Sequence, residues 1–408
     1  MTLVLANATV IHGDPSVAPR AADILIEGER IAAIGTPGSY DGRSGATRVD
    51  LAGRTLLPGL IDLHVHLCLV GDLHSTERFH AESAERLLAR AVGHAQRHLA
   101  AGVTTIRDLG GLDAIVFAVR DAIADGLVDG PRVLAAGLCV TTTNGHGSWM
   151  GALADDAEGI ARTVQGRVDA GADCIKIVAT GGVHTQGSDL MQAQYTEAEM
   201  RAGIETAHRA GVTVGSHASN PVGMANAIRA GVDTIEHGVF LDDATAALMA
   251  EHGTTFVPTL AATYLYEPHA DHPEIPSYVK EKAALTVPAH RANFPFAVRH
   301  GVTIATGTDA GSTFVGHGRN AVEIEILTRF GISPLEAIAA GTWNAARALH
   351  LEDEIGTLEP GRLADLMAVD GDPAVDITAL QRVALVVKSG RIVRDSLAER
   401  VGGPAAAR

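Results

Sequence analysis

Two histidines one residue apart, His64-Val65-His66, are the first residues in this chain whose type and spacing could do chemistry. Side chains of a strand alternate between its faces, so residues two apart share a face and both imidazoles can reach one ion. An ordinary half-buried pair gives the same pattern. Further along stand Lys176 in Asp173-Cys-Ile-Lys-Ile-Val-Ala-Thr-Gly-Gly, His217 in Val214-Gly-Ser-His-Ala-Ser, His237 in Ile235-Glu-His-Gly and Asp309 in Ala305-Thr-Gly-Thr-Asp-Ala-Gly. Imidazole and carboxylate are ligands of divalent cations. A lysine inside an apolar run is costly to bury unless something uses its amine, although snorkelling or an ion pair would also account for it. Each of these residues has a structural explanation by itself. Their succession, each within or just past an apolar run, is hard to dismiss as coincidence.

Such residues have to be delivered by strand ends. Eight apolar runs, at 60–66, 103–109, 133–140, 174–179, 212–216, 234–236, 255–260 and 302–306, alternate with helix-period stretches such as 81–100 and 196–210. Eight βα units predict an α/β fold, a closed parallel (β/α)8 TIM barrel, whose catalytic groups collect at the C-terminal ends of the strands. Thr196-Glu-Ala-Glu199 has capping-box spacing, and Ala-Gly-Val or Ala-Gly-Ala phrases at 101–103, 170–172, 210–212 and 230–232 put glycine where helices stop. Strand texture also marks both ends of the chain, at 3–10, 23–34, 365–370 and 383–393. The expectation is a small β-sandwich domain formed from both termini, residues 1–57 and 350–408, and a barrel domain at 58–349.

Composition suits an α/β protein: 46% hydrophobic residues, 4% aromatics and 45 glycines in 408 residues. Lys+Arg 32 against Asp+Glu 48 gives 32 − 48 = −16, which argues against a nucleic-acid partner. The cysteines Cys68, Cys139 and Cys174 form no CxxC pair, so neither a disulfide framework nor a thiolate zinc site is expected. The start has no basic n-region with a long apolar stretch, and no run of 18 apolar residues occurs; the expectation is a cytoplasmic protein without membrane spans. Asn7-Ala-Thr9 matches a glycosylation acceptor, but a strand residue is the favoured reading. There is no GxSxG nucleophile elbow, and Gly307-Thr-Asp-Ala-Gly311 lacks the Walker lysine.

The motifs Leu57-Pro-Gly-Leu-Ile-Asp-Leu-His-Val-His, Ile175-Lys-Ile-Val-Ala-Thr-Gly-Gly, Ser216-His-Ala, Ile235-Glu-His-Gly, Gly307-Thr-Asp-Ala-Gly and Gly356-Thr-Leu-Glu-Pro-Gly-Arg-Leu-Ala-Asp-Leu span nearly the whole chain. Together they resemble the amidohydrolase superfamily, in the branch of imidazolonepropionase-like enzymes and prolidase-like metal-dependent dipeptidases. The resemblance implies two divalent ions, of which zinc suits the donors best, although manganese, cobalt or iron would also fit. It implies that His64, His66 and Asp309 hold one ion, that His217 and His237 hold the other, and that Lys176, carboxylated by CO2, bridges them as an anion where an ammonium would repel both. The mechanism expected is attack on an amide by a hydroxide between the ions, with Asp309 carrying the proton to the leaving nitrogen.

The loop Thr141-Thr-Thr-Asn-Gly-His-Gly-Ser-Trp-Met resembles a segment that, in the peptidase branch, sets a histidine beside the substrate carboxylate, which makes His146 a candidate. His317, Tyr264 and Tyr266 are weaker candidates for the pocket, and ordinary loop or packing roles compete. One departure stands out: His217-Ala-Ser-Asn220 lacks the tyrosine that relatives place shortly after this histidine to stabilise an oxyanion, so either Ser219 or Asn220 donates or the substrate is not a dipeptide. The expected substrate is a small molecule with an amide bond next to a free carboxylate, a dipeptide or an N-acyl amino acid. A mononuclear cyclic-amide hydrolase or deaminase is the alternative, and a non-catalytic assembly protein is a third reading that the full ligand set disfavours. Relatives imply a homo-oligomer. His94, His98, His208 and His290 are expected on solvated helix faces, and Cys68 as a small buried hydrophobe.

Overall fold

A computed structural model describes residues 1–397. The chain divides into two units: Met1–Ile61 with Gln96–Thr104 and the stretch from Asn320 onward, and Asp62–Ala95 with Thr105–Arg319. The expected terminal domain ran on to 408, and its residues 398–408 lie outside the described part. Among the described residues no helix is long and apolar enough to cross a membrane.

In the first unit, strands from both ends of the chain join one eight-stranded sheet. Thr55–Pro58 is its junction, pairing in parallel with Thr2–Val10 and antiparallel with Leu366–Val369. The short strands Thr47–Asp50 and Thr55–Pro58 carry too few alternating residues to announce themselves in the sequence. Alternation along Thr2–Val10 sends Leu3 and Leu5 to a buried cluster with Ile24, Ile26, Leu366 and Leu385. Val4 and Ala6 go to a second cluster with Leu25. Asn7 lies where the register of this strand shifts, and its backbone N–H donates to Asp23 at 2.8 Å.

The second unit is α/β with parallel sheets. Gly151–Leu153, Cys139–Thr141, Cys174–Val178, Thr213–Ala218, Thr234–His237 and Thr255–Val257 form a six-stranded sheet in that order. Leu60–Val65, Val103–Asp108 and Arg132–Ala135 form another. Leu60–Val65, Cys174–Val178 and Thr255–Val257 are buried at every position, so their sequences do not alternate between an apolar and a solvated face. The run expected at 133–140 is two strands, broken at 136–138. The eighth run is not a continuous strand: it makes the isolated bridge Phe256↔Ile304 and, further on, Val65↔Ala310. Its backbone still pairs both ways, Ala305 N donating to Phe256 O at 2.9 Å and Leu63 N donating to Thr306 O at 2.9 Å. The backbone at Gly307 crowds His64 so closely that a Cβ there would stand 2.7 Å from the His64 Cβ. A side chain at that point would displace the histidine.

Helix Glu197–Arg209 opens on the Thr196/Glu199 capping box. The expectation of solvated helix histidines holds for His208, which meets Asp233 at 2.9 Å, and fails for His94, His98 and His290, which are buried. Each lies on a core-facing side of its helix with a ring nitrogen satisfied internally: His94 by Leu67 O at 2.9 Å, His98 by Asn320 Oδ1 at 3.0 Å, and His290 by the Thr263 hydroxyl at 3.3 Å.

Candidate metal centre

Strand ends in the second unit bring His64, His66, Lys176, His217, His237 and Asp309 to the wall of one cavity. Asp309 Oδ1 lies 3.3 Å from His66 Nε2 and 3.7 Å from His64 Nε2. One donor atom from each of these three residues falls within 4.8 Å of the others, a group that can hold a divalent ion. Lys176 Nζ is 3.4 Å from His64 Nε2. The His237 ring stands 4.8 Å from that of His64 and 4.7 Å from that of His217, centroid to centroid. His237, Asp309 and Thr259 all have left-handed backbones, with φ of 71°, 59° and 53°. Non-glycine residues adopt this region at a cost, and such strain collects at functional sites.

Each ring is oriented by a bond on its far side. His64 Nδ1 is 2.8 Å from Glu236 Oε2, His66 Nδ1 is 3.0 Å from Gly110 O, and His237 Nδ1 is 2.8 Å from the Thr259 hydroxyl. Those contacts leave Nε2 of all three for an ion. His217 is turned the other way, with Nε2 3.2 Å from Gly181 O, so its Nδ1 is the free donor. Glu236 is fully buried; its other oxygen accepts from Arg107 at 2.8 Å and from the Thr234 hydroxyl. Asp62 accepts from the backbone N–H of His64 at 3.1 Å and from Thr308 Oγ1 at 2.7 Å, tying the first strand to the Asp309 turn. Asp108 accepts from Leu67 N at 2.7 Å and Gly110 N at 3.1 Å, which fixes the carbonyl that aims His66. None of these three carboxylates was singled out in the sequence. Glu236 could have been, because it directly precedes His237.

Burial sets the electrostatics. It drives the Lys176 amine below its usual range, the nearby cation Arg107 adding to the effect against Glu236 and Asp309. Burial also pushes His217 down to about 4 and holds His64 and His237 well below ordinary histidine values. For His66, burial is outweighed by the bond to Asp309 together with the charges of Asp309 and Asp108, and its pKa is raised. Burial would raise Asp309, but His66, His64 and Lys176 together hold it well below the carboxylate range. Asp62 and Asp108 are pushed up by burial, to about 7 and about 6. His64, His217 and His237 are thus held neutral, the amine is easily neutralised and Asp309 is firmly ionised, the protonation states a divalent cation requires of its ligands. His66, ion-paired with Asp309, would have to give up its proton to join them.

The rest of the cavity places the remaining candidates. His146 lines it, with its ring 4.5 Å from that of His217 and its Nδ1 2.9 Å from the Thr185 hydroxyl. His184 and His290 also line it, and the sequence had not proposed either. Ser219 lines it with Oγ 3.5 Å from His217 Nε2, whereas Asn220 is occupied as a helix cap, accepting from Gly223 N at 2.9 Å and donating to Leu190 O. Tyr266 lines it, while Tyr264 instead lies under the Arg291 guanidinium, 4.0 Å from the ring centroid. His317 is not among the lining residues; its Nε2 is 2.8 Å from Leu69 O and its ring stacks on His94 at 4.0 Å. Cys139 lines the cavity, and all three cysteines are buried and unpaired with one another.

Residues 55–393 match the amidohydrolase family. The chain is 31% identical over 376 residues to ochratoxinase of Aspergillus niger, covering 83% of this chain and 75% of that protein. It is 29% identical over 422 residues to imidazolonepropionase of Cupriavidus necator, covering 93% of this chain and 92% of that one. Among solved structures it is similar to an Xaa-Pro dipeptidase with methionine bound in its active site, at 33% identity and a TM-score of 0.90, over 96% of this chain and 99% of the other.

Proposed function

The chain belongs to the amidohydrolase family and is a hydrolytic enzyme, and from that premise we propose a binuclear metal-dependent hydrolase cleaving an amide bond next to a free carboxylate. The observation that carries the proposal is the convergence of five donors and one buried lysine on a single cavity wall, with Lys176 Nζ 3.4 Å from His64 Nε2. In this reading the parallel strands close into an eight-stranded barrel through the segment 302–310, and the terminal strands form a separate small β domain. His64, His66 and Asp309 would hold one ion, zinc by donor type, and His217 with His237 the other. Lys176 would lie between them as a carbamate. Its burial favours the uncharged amine, which adds CO2 with loss of one proton.

Bound divalent ions would supply an activated water and polarise the scissile carbonyl. The chain's own residues do the rest. Asp309, kept ionised by its neighbours, accepts a proton from the attacking water and returns it to the departing nitrogen. The C–O bond forms, the C–N bond breaks, and the products are a carboxylate and an amine. Asp62 and Glu236 hold the His64 backbone and ring, and Thr259 holds His237. Among the described residues lining the cavity there is no arginine, so a substrate carboxylate would be met by imidazoles such as those of His146 and His184 and by hydroxyls of the lining side chains. The similar Xaa-Pro dipeptidase structure, with a free amino acid in its active site, supports a ligand of this kind.

A mononuclear cyclic-amide reading is favoured by a different observation: the compact donor group comprises His64, His66 and Asp309 without the other two histidines. Amine release from dipeptides and N-acyl amino acids by zinc-, manganese- and cobalt-loaded enzyme decides. Faster cleavage of free carboxylates than of their C-terminal amides supports the proposal. Equal cleavage of both, or opening of cyclic amides alone, would overturn it.

A further inference from the structure

Between strand Cys174–Val178 and helix Glu197–Arg209 the chain makes an excursion whose ends meet in the bridge Thr180↔Ala193. Three of its contacts converge on His146. Gln194, at the foot of the excursion, accepts from the His146 backbone N–H at 2.7 Å. Gly182 packs on the tip of the His146 ring, where a Cβ would stand 2.4 Å from Nε2, so a side chain there would displace the ring. The Thr185 hydroxyl lies 2.9 Å from His146 Nδ1 and accepts from the Gly147 backbone N–H at 3.2 Å.

The excursion is itself anchored. Lys282, on helix Ser277–Arg299, uses all three protons of its ammonium on it, donating to Gly182 O at 2.9 Å, Thr185 O at 2.8 Å and Ser188 Oγ at 3.2 Å. The Ser188 hydroxyl lies 2.9 Å from Gly182 O and 3.0 Å from Thr185 O. The two residues that touch the His146 ring are thus fixed through their own backbone carbonyls.

Counting hydrogens then orients the ring chemically. A threonine hydroxyl has one proton to donate and two lone pairs. One lone pair takes the Gly147 N–H, and Nδ1 is the acceptor that the described residues offer the hydroxyl proton. A ring that accepts at Nδ1 carries its own proton at Nε2. His146 lines the cavity, and its Nε2, unlike the unpartnered ring nitrogen of His290, is not sealed off from it. An N–H there is a donor to an entering carboxylate; with the proton on Nδ1 instead, the same atom would turn a lone pair towards the anion.

We propose that Thr185 is a positioning residue for substrate binding: held by Lys282, it donates to His146 Nδ1 and so sets His146 Nε2–H as the donor to the substrate carboxylate. The inference rests on the reading that the cavity takes an amide with a free carboxylate, and deepens it by naming the atom that meets the carboxylate and the group that holds that atom.

Two measurements on zinc-loaded protein test it. The first compares N-acetyl-methionine and alanyl-methionine with their C-terminal amides. The preference of the wild type for the free acid, as a ratio of kcat/KM values, should fall about 10- to 100-fold in Thr185→Val and be restored in Thr185→Ser. A ratio unchanged in Thr185→Val, or lost equally in Thr185→Ser, would overturn the proposal. The second is nitrogen NMR of protein labelled with 15N-histidine, the His146 signals being assigned by their loss in His146→Gln. The wild type should carry the proton on Nε2, and Thr185→Val should lose that preference, a change that mere loosening of the loop would not produce in a chosen direction. A proton on Nδ1 in the wild type, or the same tautomer in both proteins, would refute the role of Thr185. Should the wild type cleave none of these substrates, or not distinguish acid from amide, the carboxylate reading fails separately, and the tautomer still decides whether Thr185 sets His146.

Discussion

Replacing Glu236 with glutamine would change the shape of the site hardly at all and its chemistry severely. Glu236 is fully buried between His64 Nδ1 at 2.8 Å and Arg107 at 2.8 Å, with the Thr234 hydroxyl on the same oxygen as Arg107. A glutamine has one acceptor where the carboxylate has two. If its oxygen stays with Arg107, its amide N–H2 faces His64 Nδ1, favouring the tautomer whose proton sits on Nε2, where an ion would have to bind. Loss of such an orienting partner costs about 10- to 100-fold in metal affinity, or about 1.4–2.7 kcal/mol. The variant also leaves Arg107, which is 0% exposed, without its counter-charge, and breaking a buried pair in this way costs about 3–5 kcal/mol of stability. Chelator competition measures the first effect and chemical denaturation of the metal-free protein the second. The double variant Arg107→Met with Glu236→Gln separates them: stability should recover because no unpaired charge remains, while metal affinity should stay low because His64 is still unanchored. If Glu236→Gln stayed folded and held zinc within about twofold of the wild type, the claim that His64 is a ligand positioned by Glu236 would be refuted.

Two further outcomes are expected. Asp309→Asn should lose about 10²- to 10⁴-fold in kcat, the usual weight of a positioned proton carrier; turnover near normal with the wild-type metal content would remove Asp309 from that role. For His290, burial lowers the folded-state pKa to about 4 from an ordinary value near 6.5. Between those values the unfolded chain binds a proton that the folded chain does not, so this contribution to stability is complete above pH 6.5 and is lost as pH falls towards 4. At 1.36 kcal/mol per pH unit it amounts to roughly 3 kcal/mol. Denaturant titrations of metal-free wild type and His290→Gln at pH 7 and pH 4.5 should show a shallower pH slope in the variant, and equal slopes would contradict the burial argument.

The residues brought to the cavity wall were legible where the signal was local. An HxH pair needs only the period of a strand, and Lys176, His217, His237 and Asp309 follow from where apolar runs end. What supports them was not legible, because its contacts are distant in sequence. Arg107 meets Glu236 across 129 residues and Thr308 meets Asp62 across 246. His290 and His94 were misplaced on solvent because a histidine on a helix carries no mark of the face it occupies until that helix is packed. The eighth run reads as a strand by composition, yet the close approach of Gly307 to His64 and the left-handed backbone at Asp309 limit it to isolated bridges. The terminal sheet was legible in its longer strands and not in Thr47–Asp50, where four residues are too few to show a period.

The central claim is that Lys176 joins two ions in one site, and metal content per chain tests it most directly. Protein prepared with bicarbonate and analysed by elemental methods should contain about two divalent ions, falling to one or none in Lys176→Ala, as a bridging carbamate requires. About one ion per chain in both proteins would contradict the binuclear account and leave the three donors His64, His66 and Asp309 as a mononuclear site.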